Sequence, residues 1–406
     1  MRSPHPARPR LRPRRALTAL SACVVLAAAA PAAARPAADD ATKTVSYRGH
    51  TFTVPAGWPV VDLDQEPTAC VRFDRHAVYL GTPGEQQDCP ARAVGRTEVL
   101  WVQSAVATKA SVTEDRTSRV YRATATNEGI SITAPYGEGR AEIQRVLRSA
   151  GLPVATARAR EPARTPAAGA VPADATAYQG RGFDTCTAPS QRAMNAWKTG
   201  SPYGAVGVYI GGVNRACAQA RLTSEWVRTQ YANGWRFFPL YAGRQPTSGA
   251  GSCQNSCASI TDPVPQGKEA AEDAVAQAVA LGFAKGSVLY NDLEQYATGG
   301  ALTTRVLGYL EAWTERLHEL GYRSGAYGSV SSLVADLVGN AGKATLPDVI
   351  HFAHWNNENT TLHTAIPAEL WAGHQRIHQY AGNRTETYGA VTINIDRDQL
   401  DVGTGA

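Results

Sequence analysis

Four carboxylates draw attention because strand-like runs carry them. Asp292 and Glu294 close the run SVLYNDLE (287–294), Asp184 lies near the end of RGFDTC (181–186), and Asp396 lies near the end of VTINIDRD (391–398). Residues two apart on a strand point to the same side. Asp292 and Glu294 therefore face one way together with Tyr290, while Leu289 and Leu293 face the other. Two acids side by side repel, so one holds its proton at neutral pH while the other stays ionised. Cleavage of a glycosidic bond needs that combination: an acid to protonate the leaving oxygen and a carboxylate to meet the developing oxocarbenium charge. A lone strand-end Asp reads more simply as a surface or loop-capping acid. Three strand ends that each carry an inward acid read as a functional cluster. Tyr209, Tyr241, Tyr327, Trp355 and Tyr380 also sit near strand ends. With Tyr290 they offer rings to stack on pyranose faces, or to fill a barrel interior.

Other chemistries find less support. His351 and His354 are three apart on a strand, so they point to opposite faces and do not chelate one ion together. His374 and His378 share a face only on a helix, and His378 reads as strand; His363 is the fifth histidine of this group. Neither a metal site nor a cofactor is expected. No G-x-S-x-G nucleophile elbow occurs, and Gly211-Gly212 is too weak a signal for a phosphate-binding loop.

The elements that must position the acids follow a regular rhythm. Strand-like runs recur at 181–186, 205–212, 236–243, 287–294, 323–329, 348–355, 376–382 and 391–398. Amphipathic stretches at 222–233, 268–281 and 303–320 lie between them, each followed by a glycine (Gly234, Gly282, Gly321) suited to a helix C-terminus. Strand alternating with helix eight times predicts an α/β fold, a (β/α)8 TIM-type barrel over 178–406 with its chemistry at the C-terminal strand ends. An open doubly wound sheet is the alternative. In a closed barrel the first and eighth strands are neighbours, which places Asp184 beside Asp396. Residues 153–177, rich in Ala and Pro, read as an interdomain linker. Before it, 40–152 shows short β-type runs and one helical stretch over 138–150, with Ile143, Val146 and Leu147 on one face. That predicts a small α+β domain without a catalytic constellation of its own.

GFDTC, YNDLE, SGAYGS, HQY and NIDRDQLD resemble the glycoside-hydrolase-like domain of exported actinobacterial proteins, which is similar to family 25 glycoside hydrolases, the muramidase lysozymes. The resemblance covers about 179–402, with the D-x-E strand and the first-strand Asp as its most specific parts. It implies that Glu294 is the general acid and that Asp292, Asp184 and Asp396 position substrate, water or charge. It further implies cell-wall polysaccharide, peptidoglycan above all, as the partner. One departure is visible: Thr185-Cys186 follows Asp184 where the lysozymes carry a Ser-containing turn. The alternative function is a non-catalytic glycan-binding protein on the same barrel.

Charge and cysteines place the protein outside the cell. The 406 residues carry a formal charge of +5, but six arginines fall within 1–34; without them 34 bases face 35 acids. That Arg-rich start, the apolar run 16–30 and an Ala-x-Ala site predict a cleaved signal peptide, for general or twin-arginine export. Leu20-Ser21-Ala22-Cys23 resembles a lipidation box, but Cys23 lies inside the apolar run. Six cysteines then remain in an oxidising compartment and fall into three local pairs: Cys70 with Cys89, Cys186 with Cys217, Cys253 with Cys257. A near-neutral exported chain excludes a nucleic-acid partner, and the short apolar run is no integral membrane span.

Overall fold

The computed structural model describes residues 41–106, 109–126, 129–154, 158–159, 169–246 and 256–405. The signal expected at 1–34, Cys23 within it, most of the Ala/Pro-rich linker and Cys253 lie outside these residues. Two of the expected disulfides are present, Cys70–Cys89 and Cys186–Cys217. Among the described residues no helix is long and apolar enough to cross a membrane.

The chain begins with a hairpin, β1 (Thr42–Tyr47) and β2 (His50–Pro55). Its two turn residues, Arg48 and Gly49, both have positive φ (46° and 72°), the turn whose twist matches paired strands. Seven further strands follow: β3 (Val60–Asp62), β4 (Ala77–Leu80), β5 (Val99–Ser104), β6 (Ser111–Asp115), β7 (Val120–Ala125), β8 (Ile130–Pro135) and β9 (Arg158–Ala159). They form one sheet in the order β3-β4-β5-β8-β7-β6-β9. Helix α1 (Arg140–Ser149) buries Ile143, Val146 and Leu147, the stripe visible in the sequence, in one apolar cluster with Phe52, Leu100 and Ile132.

The second half closes on itself. Strands β10 (Tyr178–Asp184), β11 (Ala205–Gly211), β12 (Arg236–Tyr241), β13 (Val288–Asp292), β14 (Arg323–Ser329), β15 (Val349–Ala353), β16 (Gln375–Tyr388) and β17 (Val391–Val402) make a closed barrel in chain order. Side-chain alternation divides each strand. Tyr209, Phe238, Tyr290, Ile377 and Leu400 fill the interior. Val206, Phe237, Leu289, Ile350 and Phe352 face outward to an apolar layer built around Trp197, Trp235 and Trp313. Gly325 is required inside, because a Cβ there would lie 2.3 Å from the Tyr290 ring. Helices α2 (Gln191–Gly200), α3 (Ser224–Ala232), α4 (Pro263–Leu281), α5 (Gly300–Leu320) and the short α6 (Ala335–Gly339) cover the outer face. Ser190 and Thr223 cap α2 and α3, and Gly282 and Gly321 end α4 and α5 in the left-handed conformation.

The regular (β/α)8 TIM-type barrel expected from the sequence does not form. Parallel pairing runs from β10 to β16, but β17 is antiparallel to both of its neighbours, β16 and β10. No helix lies between β15 and β16. Strands β16 and β17 are joined only by Gly389 and Ala390, with φ of 53° and 59°. A parallel crossover needs a dozen or more residues, whereas two residues with positive φ turn the chain straight back. The barrel is therefore mixed, and a long hairpin takes the place of its last two β/α units.

From Ala41 onward the chain is one compact unit. The segment between β4 and β5 lies along the loop after β11. Phe73 N–H donates to Ala216 O (2.6 Å) and Gly95 N–H to Asn214 O (2.8 Å). The buried Arg96 guanidinium donates to the carbonyls of Ser118, Gly212 and Arg215. Burial pulls its pKa down to about 9, and the three carbonyls supply the hydrogen bonds that a buried cation requires. Gln86 reaches the base of the β16–β17 turn at Thr392 O (2.7 Å).

Candidate active site

The barrel mouth lies at the C-terminal ends of β10 to β16. Since β17 runs the other way, its N-terminal half faces the mouth. Asp184 and Asp396 are direct partners in the antiparallel β10–β17 ladder, and Asp398 stands opposite Gly182, one layer deeper. Asp292 ends β13, and Glu294 follows just beyond it. Gln245 fixes the backbone between those two acids: its amide donates to Asp292 O (2.7 Å) and its carbonyl accepts from Glu294 N–H (2.9 Å).

A second glutamine joins the other acids. The Gln379 amide donates to Asp184 Oδ2 (2.8 Å) and Asp396 Oδ2 (3.3 Å). Its carbonyl accepts from Tyr327 OH (2.9 Å) and Trp355 Nε1 (3.0 Å). Two donors and two lone pairs are thus all used, which locks two carboxylates and two aromatic rings to one side chain.

Above this layer a cleft of ≈ 370 Å³ opens, lined by Arg92, Leu293, Glu294, Gln295, Tyr327, Ser329, Ala353, His354 and Trp355. Of the four acids singled out in the sequence, Glu294 lines it; Asp184, Asp292 and Asp396 lie buried beneath. Trp355 is 42% exposed and lies against Gly382, where a Cβ would stand 2.0 Å from the indole. Tyr327 lines the cleft, and Tyr209 faces inward near Asp292. Tyr290 is fully buried in the barrel interior. Tyr241 points outward and donates to Asp273 on α4 (2.8 Å), while Tyr380 packs beside His378 with 6.2 Å between ring centroids.

Burial dominates the electrostatics. It pushes Asp292 well above the usual carboxylate range; Glu294 adds to the effect, whereas Arg92 and the approach of the Tyr209 hydroxyl oppose it. Neither Asp292 oxygen makes a close, well-aligned hydrogen bond among the described residues. Burial, then Asp398 and Asp396, raise Asp184, and burial raises Asp398. Asp184 Oδ1 and Asp398 Oδ2 are the oxygens these two have left over, and a hydrogen bond links the pair, with Asp184 as its protonated member. The dyad holds one proton and titrates as a unit. Beneath it His351, driven down to about 3 by burial and therefore neutral, places Nε2 2.8 Å from Asp398 Oδ1. Asp184, His351 and Asp398 bring ligand-type atoms within 4.8 Å of one another. Asp396 is pushed up to about 6 by burial, held back by the Asn383 backbone N–H (2.7 Å) and by Arg92.

A family model described as "Rv2525c-like, glycoside hydrolase-like domain" matches residues 195–400. The chain belongs to that family. No curated protein matches it. Among solved structures it is similar to an uncharacterized protein of B. stearothermophilus, at 17% identity over 54% of this chain and 95% of that one, with a TM-score of 0.40. It is similar also to the Mycobacterium tuberculosis Tat-secreted protein Rv2525c crystallised with L-tartrate, at 14% identity over 55% and 96%, TM-score 0.40. A third is GHIP, a glycosyl hydrolase 25 of Streptococcus pneumoniae, at 12% identity over 54% and 86%, TM-score 0.35.

Four members of this glycoside-hydrolase-like site were not singled out in the sequence. Asp398 was within reach, since Asp396-Arg397-Asp398 puts two acids on one strand face. Gln379 lies inside the HQY motif. Gln245 and Arg92 act from loops, and no periodicity marks them.

Proposed function

We propose that the protein is an exported glycoside hydrolase that cuts cell-wall polysaccharide, peptidoglycan foremost. The observation that carries this reading is Glu294: a largely buried acid that lines a cleft beside an exposed tryptophan, with a second buried carboxyl two residues away. In that setting burial and then the neighbouring Glu294 hold Asp292 well above the usual carboxylate range, and Glu294, which lines the cleft, is the member placed to reach a glycosidic oxygen. Asp396, ionised above about pH 6, supplies the negative charge that the oxocarbenium-like transition state needs. Gln379 holds that carboxylate in place, and the exposed part of Trp355 offers apolar surface to a sugar. The two disulfides support an oxidising compartment outside the cytoplasm.

One observation favours a second reading, a glycan-binding protein without turnover: three of the four acids lie below the cleft rather than in it. Incubation of the mature chain with purified peptidoglycan, followed by assay of new reducing ends, separates the two. The hydrolase reading expects release that Glu294→Gln abolishes. No release above that variant on any wall polymer, with retention on sacculi in a pull-down, would establish the binder instead.

A further inference from the structure

Eight of the nine residues lining the cleft come from the barrel; the ninth, Arg92, comes from the segment between β4 and β5. Its loop is pinned on both sides. Three residues earlier Cys89 is bonded to Cys70, and three residues later the Gly95 amide is held by Asn214 O, with Arg96 buried next to it. Arg92 thus enters the mouth on a fixed support. Its guanidinium lies over the Trp355 ring, 4.6 Å from the centroid, and Nη1 donates to Tyr327 OH (3.2 Å). A guanidinium presents five N–H donors in a planar fork, of which this contact takes one. Stacking on the indole sets the plane of the fork. Arg92 is the cleft's permanent cation, and Glu294 lines the same cleft.

We propose that Arg92 is a specificity-determining residue, binding a carboxylate carried by the sugar that rests against Trp355, next to the bond served by Glu294. The proposal rests on the glycan reading above and names the substrate class more closely: an acidic glycan in preference to a neutral one. A planar fork matches a carboxylate in two parallel hydrogen bonds, which a lysine cannot reproduce. A neutral sugar in the same place would cover the guanidinium without pairing it, and leaving a desolvated cation unpaired is costly. The surroundings keep the charge in place: burial works against it, but Tyr327, Glu294 and Asp396 hold Arg92 above its already high pKa. The segment between β4 and β5 then contributes to recognition directly, and the site is complete only with that segment in place.

The test uses the full mature chain and two matched ligands. One is peptide-free strands of alternating N-acetylglucosamine and N-acetylmuramic acid, with a free lactyl carboxylate on every second sugar; the other is the same strands with those carboxylates reduced to alcohols. Equilibrium binding followed by calorimetry needs no turnover. The native chain is expected to bind the acidic strands about ten- to a hundredfold more tightly, the scale of one charge-assisted contact. Arg92→Gln should remove that preference, read as the ratio of the two affinities, and Arg92→Lys, which keeps the charge but not the fork, should fall between. Equal loss of both ligands in Arg92→Gln would make the residue a clip that holds the β4–β5 segment on the barrel and overturn the proposal. Native binding to both strands without preference would overturn it too, leaving the glycan reading intact. Native binding to neither would overturn both.

Discussion

Asp396 lets the cost of building this site be measured. It is fully buried, and its pKa is pushed from 3.8 to about 6. A raised carboxyl pKa means that the folded state holds the proton more tightly than the unfolded chain. The associated stability is fully present below pH 3.8 and is lost as pH rises through 6. At about 1.36 kcal/mol per unit, the penalty grows from roughly 0.5 kcal/mol at pH 4 to about 3 kcal/mol at pH 7 and above. Asp396→Asn cannot ionise, so it removes this pH-dependent cost. The new amide oxygen can still accept the Asn383 N–H, but its NH2 then faces the Gln379 amide, a mismatch of about 1 kcal/mol that is independent of pH. The variant should therefore be about 2 kcal/mol more stable than the native chain at pH 8 and about 0.5 kcal/mol less stable at pH 4. Paired urea titrations followed by circular dichroism at the two pH values measure both differences. A change of the same sign and size at pH 4 and pH 8 would refute the reasoning, since the burial penalty would then not reside in the charge. The same variant should release no reducing ends, which would mark Asp396 as a carboxylate kept at the expense of stability.

Three shorter predictions follow from the same geometry. If Asp396 must be ionised for turnover, the initial rate of reducing-end release should fall below pH 6 and be sustained above it; a profile flat from pH 4.5 to 7.5 would remove that role. Gly207→Ala places a methyl 2.5 Å from Asp184 Cβ and 2.4 Å from the Phe238 ring; the barrel should lose about 3 kcal/mol or more, read as a drop in urea midpoint. The Cys186–Cys217 bridge spans a separation of 31 residues, so the double serine variant should lose about 3–4 kcal/mol, with the loss absent when both proteins are compared under reducing conditions.

Local patterns made much of this structure legible, and connections hid the rest. Period-two alternation placed eight strands, and the D-x-E run gave an inward acid pair from sequence alone. Glycines after the amphipathic stretches located helix ends, because a left-handed residue without Cβ closes a helix. The orientation of the last strand escaped. Its run of alternating residues reads the same in either direction, and strand order in the sheet fixes nothing about polarity. The signal lay in the connection: only eight residues separate 382 from 391, too few for a helix and its two loops. Arg92 and Gln245 escaped for another reason. They come from loops, where position is set by tertiary contacts and by a disulfide rather than by any repeat.

The reversed strand also explains which aspartate lies at which depth. In a parallel eighth strand, the mouth would lie toward Asp398 and Asp396 would sit a layer below. Antiparallel pairing inverts that order: Asp396 falls opposite Asp184 and Asp398 opposite Gly182. The deeper acid then meets His351 and shares a proton with Asp184, while the shallower one meets Gln379, the Asn383 amide and the field of Arg92. The two acids differ accordingly in titration, one locked into a protonated pair and the other ionising at about 6. A two-residue turn between β16 and β17 thereby decides which carboxylate carries charge at the mouth at neutral pH.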